Sequence, residues 1–155
     1  MKFANPLTLS CAAIAMIATS ALAQTSIDGD LSLSGGNRSG SLTGHAIGTN
    51  SIPAAVVRRT SDSQGHECLG FSSMQPNHLL TLQTPLQNLT LTVDSGSEDT
   101  TIAVQGPNGL LLCGDDAAGG SSASVTTANW PAGTYQVWVG TFAAGARVRY
   151  RLSAQ

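Results

Sequence analysis

The chain has 155 residues, of which only 10% are charged, with 17 glycines, three cysteines and a formal charge of −2. A single lysine and a mild acidic excess argue against a nucleic-acid binder, which needs a basic face. No second long apolar run follows the amino terminus, which argues against a membrane span further along the chain.

The first 23 residues read as a cleaved secretory signal peptide. Lys2 supplies a short positive start, residues 7–18 an apolar stretch, and Ala21-Leu22-Ala23 a small-x-small cleavage site. Cleavage leaves residues 24–155, with six arginines, no lysine and nine acidic residues. It also removes Cys11, so two cysteines remain. The expected location is periplasmic or extracellular. Length then allows one domain, and Ser plus Thr supply 30 of its residues.

Residues 24–54 are poor in large apolar side chains and hold turn clusters such as Gly35-Gly36-Asn37. Leu31, Leu33 and Leu42 alternate with Ser, which predicts a weakly ordered segment with one or two edge strands. From residue 55 onward a period of two dominates. Ala55-Val56-Val57-Arg58 and His78-Leu79-Leu80-Thr81-Leu82 are the first candidate strands. Leu89, Leu91 and Val93 alternate with Thr90, Thr92 and Asp94, and Ile102 and Val104 repeat the pattern. Gly106-Pro107-Asn108-Gly109 is a strong turn before the short apolar run 110–113. Val125 centres a Ser/Thr-rich strand, and Trp130-Pro131-Ala132-Gly133 turns the chain again. Tyr135, Val137 and Val139 then share one side, with Gln136 and Trp138 on the other. Last, Val148, Tyr150 and Leu152 alternate with Arg147, Arg149 and Arg151. No window has the spacing of an amphipathic helix. The prediction is an all-β antiparallel sandwich, jelly-roll-like, over residues 55–155.

In an exported chain Cys68 and Cys113 read as one disulfide, closing a loop of about 45 residues worth ~4 kcal/mol in the chain-entropy model. A metal-binding or reactive pair would want a C-x-x-C spacing or a nearby histidine cluster, and neither is present.

Six pieces in order then resemble bacterial pre-peptidase C-terminal domains. They are Glu67-Cys68-Leu69-Gly70-Phe71, Asp99-Thr100-Thr101-Ile102, Gly106-Pro107-Asn108-Gly109, Cys113-Gly114-Asp115-Asp116, Pro131-Ala132-Gly133-Thr134-Tyr135 and Val137-Trp138-Val139-Gly140-Thr141. The resemblance covers roughly residues 67–152. It implies a non-catalytic β-sandwich accessory module of the kind appended to secreted proteases, some of which bind calcium or help an exported enzyme fold. Here no protease domain precedes it in the chain.

Candidate chemistry centres on acidic residues. If the strands around Gly106–Gly109 pair as a hairpin, Asp99 meets Asp115 and Asp116 at its open end. Carboxylates from two loops, completed by carbonyls and water, suit calcium. The simpler reading is that these aspartates cap turns. A hydrolase is the runner-up, using His45, His66 or His78 with a serine or aspartate. No G-x-S-x-G elbow supports it, and His66 and His78 read as surface histidines. Arg147, Arg149 and Arg151 would share one strand face at ~7 Å intervals, facing an anionic polysaccharide or another partner, or guarding an edge. Trp138 beside Gln136 reads as a possible exposed stacking residue. The leading expectation is therefore a secreted, non-catalytic binding or accessory module whose partner is a polysaccharide, a cell-envelope component or a secreted protein. The alternatives are a small exported hydrolase, of protease or glycosidase type, and an inhibitor or folding helper of a secreted protease.

Overall fold

Alternation in the sequence becomes alternation of burial in a computed structural model, which describes Met1, residues 24–116 and residues 120–155. Apart from Met1, the expected signal segment lies outside the described residues. The strands are β1 (Asp30–Leu33), β2 (Gly40–Ile47), β3 (Asn50–Ser51), β4 (Phe71–Ser72), β5 (His78–Leu82) and β6 (Leu86–Asp94). They continue as β7 (Thr100–Gln105), β8 (Leu111–Gly114), β9 (Ser124–Trp130), β10 (Gly133–Thr141) and β11 (Arg147–Ala154). Among the described residues no helix is long and apolar enough to cross a membrane.

The strands form two sheets. The smaller runs β2-β11-β6-β9, and all its pairings are antiparallel. The larger is built around β10, which pairs β5 and β4 on one side and β7 on the other, with β8 beyond β7. Its one parallel pair is β1 with β5. One apolar cluster fills the space between the sheets, with Leu91 and Leu152 from the smaller sheet meeting Val104 and Val139 from the larger. Each such leucine or valine contributes about 1.5–3 kcal/mol relative to exposure. The expected all-β sandwich is therefore the fold.

Residues 24–54 join both sheets. β1 lies against β5, and β2 pairs β11 along eight residues. A buried polar network explains the attachment. The Asn77 amide donates to Asp28 Oδ2 at 3.0 Å and to the His45 carbonyl at 3.3 Å, and its oxygen accepts the Val139 amide at 3.0 Å. His78 is fully buried, which corrects its expected place on the surface. Its Nδ1 donates to the Gly29 carbonyl at 2.9 Å, so Nε2 accepts from the Tyr150 hydroxyl at 2.8 Å. Burial holds its pKa below the ordinary value, against opposing contributions from Gly29, Asp28 and Asp30.

A second difference is the candidate strand 55–58. Residues Ile52–Val56 form one wide π-type turn. Pro53 cannot donate to a ladder, the Ser51 hydroxyl accepts the Ala54 amide at 3.3 Å, and Val57 N–H closes on the Ile52 carbonyl at 2.9 Å. This turn and the loop after it cover the outer face of the larger sheet. There Ile52, Val57 and Cys68 pack on Ala103, Cys113 and Trp138. Trp138 is only 4% exposed, and its indole N–H donates to the Met74 carbonyl at 3.2 Å. The expected binding tryptophan is a core residue, because a covering loop lies on the face that alternation alone leaves outward.

Candidate functional site

The covering loop is fastened by two devices. One is the Cys68–Cys113 disulfide, which joins the loop to β8 across a sequence separation of 45. The other is Asp62, whose side chain is buried. Its Oδ1 accepts the amides of Gln64 at 2.8 Å and His66 at 2.9 Å, and its Oδ2 accepts the Cys113 amide at 3.0 Å. The His66 ring adds a contact from Nδ1 at 3.3 Å. Burial alone would push this carboxyl up. The Cys113, Gln64 and His66 amides and the His66 ring outweigh it, and the pKa lies below the ordinary carboxylate value. At the loop's end Gly70 takes φ +86°, and a Cβ there would collide with the Thr101 side chain, so only glycine lets the chain pass over β7.

Beyond the disulfide the same face opens into a groove of about 420 Å³, lined by residues including His66, Glu67, Asp115, Asp116 and Ser124. Antiparallel pairing of β7 with β8 places Ile102 opposite Gly114. Asp99, just before β7, is therefore brought to Asp115 and Asp116, just after β8. One carboxylate oxygen from each of the three lies within 4.8 Å of the others. Gly114 sets how close this corner sits to β9, since a Cβ there would run into the Ser124 carbonyl.

The electrostatics of this corner oppose those of Asp62. Burial, and then repulsion from Asp116 and Asp99, raise the pKa of Asp115. Burial and Asp116 raise that of Asp99. Asp115 Oδ1 is buried with no hydrogen-bond partner among the described residues. The donor set is all oxygen, and a hard divalent cation suits it, with carbonyls and water to complete its shell. Glutamate and histidine at the groove wall add Glu67 as a further acidic side chain and His66 as an exposed ring.

The other sequence candidates lie apart from this corner. Arg147, Arg149 and Arg151 are exposed on the outer face of the smaller sheet. His45 is exposed on neighbouring β2 and His78 is sealed in the core. Among the described residues no serine hydroxyl is hydrogen-bonded to a histidine ring. Asp94 and Ser95 build a turn: Asp94 accepts the Gly96 amide at 3.1 Å and Ser95 donates to the Glu98 carbonyl at 2.7 Å. Sequence reasoning passed over Asp62. Its Asp-Ser-Gln-Gly setting is a turn pattern, but nothing local announces the bond to Cys113. Set against known family models, curated proteins and solved structures, the chain matches none.

Proposed function

We propose that this chain is an exported, non-catalytic β-sandwich module of the pre-peptidase C-terminal type, with a calcium site at Asp99, Asp115 and Asp116. The observation that carries the reading is the convergence of three carboxylates, one of them holding a buried oxygen without a donor. Calcium there offsets their mutual repulsion and supplies the missing partner for Asp115. It also joins the β6–β7 loop to the end of β8, next to the disulfide. A cross-linked, cation-braced scaffold fits a module that works outside the reducing cytoplasm. Support for a binding role over hydrolysis comes from His78, sealed in the core against Gly29 and Tyr150, and from His66, whose ring contacts Asp62 but, among the described residues, no serine hydroxyl.

Calorimetric titration with calcium, beside a panel of protease, esterase and glycosidase substrates, tests the proposal. The expected result is one calcium per chain, binding at least tenfold weaker in Asp115→Asn, and no turnover of any substrate. Turnover that disappears in His66→Ala, or no calcium heat at millimolar concentration, overturns it.

A further inference from the structure

We propose that the outer face of the smaller sheet is a docking surface for a linear anionic polysaccharide, with the Arg147, Arg149 and Arg151 row as its charge ladder. This rests on the exported-module reading above and goes beyond it by naming a partner class and a second surface.

Charge placement is the first observation. Half of the six arginines outside the amino-terminal segment stand on one strand, in a chain with net negative charge. All three are exposed, while Val148, Tyr150 and Leu152 between them are buried. Two residues along a strand advance roughly 7 Å, so the row spans roughly 14 Å in a straight line. None of the three forms an ion pair with a carboxylate among the described residues; the one ion pair there is His66 with Asp62. Arg151 instead donates to the Ser41 hydroxyl at 3.0 Å.

Position within the sheet is the second observation. β11 is flanked by β2 along its whole length and by β6 over residues 151–154, so Arg151 stands inside the sheet while Arg147 and Arg149 have a paired strand on the β2 side. Hydroxyls gather at one end of that face, where Thr43 lies opposite Arg151 and Ser153 opposite Ser41 and Thr92, while Ile47 lies opposite Arg147. His45 stands beside Arg149, and Asp94 beside Arg151 is the acidic residue in register with the row.

Chemistry then selects the partner. Planar guanidiniums pair bidentately with carboxylate or sulfate groups, and the flanking hydroxyls suit sugar hydroxyls. A flat face with a periodic charge row fits an extended polymer better than a small ligand, which prefers a concavity. Single-stranded nucleic acid is a linear polyanion too, but it wants aromatic platforms for its bases. The registered neighbours here are Thr, Ser, His, Ile and Asp.

The test uses protein expressed from the full-length sequence, purified, and titrated with polygalacturonate, neutral dextran and a single-stranded DNA of equal charge. Buffers contain a chelator, so calcium plays no part. The expected result is saturable binding of polygalacturonate, none of dextran, and weaker binding of DNA. Affinity falls about tenfold in Arg147→Gln/Arg149→Gln/Arg151→Gln, whose unfolding midpoint matches the parent. Binding also fades at about 0.5 M salt. The inference is overturned if polygalacturonate binds no better than dextran, if the triple variant binds as the parent does, or if DNA binds as tightly. Its failure leaves calcium binding at Asp99, Asp115 and Asp116 untouched, and loss of calcium binding leaves this titration unaffected.

Discussion

Asp62 and Asp115 both lie beside Cys113, one reaching its amide from the covering loop and the other two residues further along the chain. Their carboxylates are provisioned in opposite ways. Asp62 takes three backbone N–H groups and its pKa is lowered. Asp115 has two acidic neighbours and an oxygen with no donor among the described residues, and its pKa is raised. A carboxylate supplied with donors by its own chain is complete and holds structure together. One left facing like charges gains from a cation that comes from outside. The difference separates an aspartate that its own chain completes from one that we propose binds a cation, on either side of Cys113.

Breaking the brace that both share should have the largest effect. Replacing Cys68 and Cys113 together by alanine should lower unfolding free energy by ~4 kcal/mol, read from urea midpoints. A loss below about 1 kcal/mol would mean the loop holds without the cross-link.

Next comes Asp62→Ala, which leaves the Cys113 amide buried without an acceptor and should cost about 3 kcal/mol. Because the Asp62 pKa is lowered, its stabilisation is present above the unfolded value of 3.8 and fades as pH falls through the folded value. Acid unfolding of the variant should therefore be shallower than that of the parent.

His78 gives a second case of internal provision, in the core between β5 and β11. Its pKa is lowered, so its stabilisation is present above the ordinary histidine value of 6.5 and is lost as pH falls. Between pH 7 and 5 the unfolding free energy should decline by up to ~1.4 kcal/mol per pH unit. His78→Gln should remove most of that slope. An unchanged slope would assign the decline to other groups.

The smallest effect is expected from Asp115→Asn in the presence of a chelator. Removing one member of the repelling set should raise stability, by less than about 1 kcal/mol because solvent screens the corner. The sign matters most here, since the same change should weaken calcium binding. A destabilised variant in chelator would mean that Asp115 already has a structural partner.

Much of this architecture was legible in period-two alternation. Val148, Tyr150 and Leu152 are buried and the interleaved arginines are exposed, because a strand between core and solvent has no other way to dispose its faces. The meeting of Asp99 with Asp115 was legible too, since a hairpin turn fixes which residues face each other at its open end. Cys68 and Cys113 pair as their count predicted. What lies on top of a face was not legible. Trp138 points outward from the larger sheet, yet the 52–70 segment covers it, and alternation carries no record of such a cover. His78 begins a strand like a surface residue, but its partners Gly29 and Tyr150 are 49 and 72 positions away. Asp62 escaped notice for the same reason, its decisive acceptor bond reaching across 51 positions. Residues 24–54 looked peripheral because few of their side chains are large and apolar; Leu33, Ala46 and Ile52 do enter the core, and the polar anchor of Asp28 on Asn77 leaves no trace in apolar patterning.

The most direct measurement is the melting temperature of the purified protein in millimolar calcium and in chelator, for the parent and for Asp99→Asn/Asp115→Asn/Asp116→Asn. Calcium should raise the parent's melting temperature by about 4 °C or more and leave the triple variant unmoved. An unchanged parent, or an equal rise in both proteins, would contradict the assignment of these three carboxylates to a calcium site.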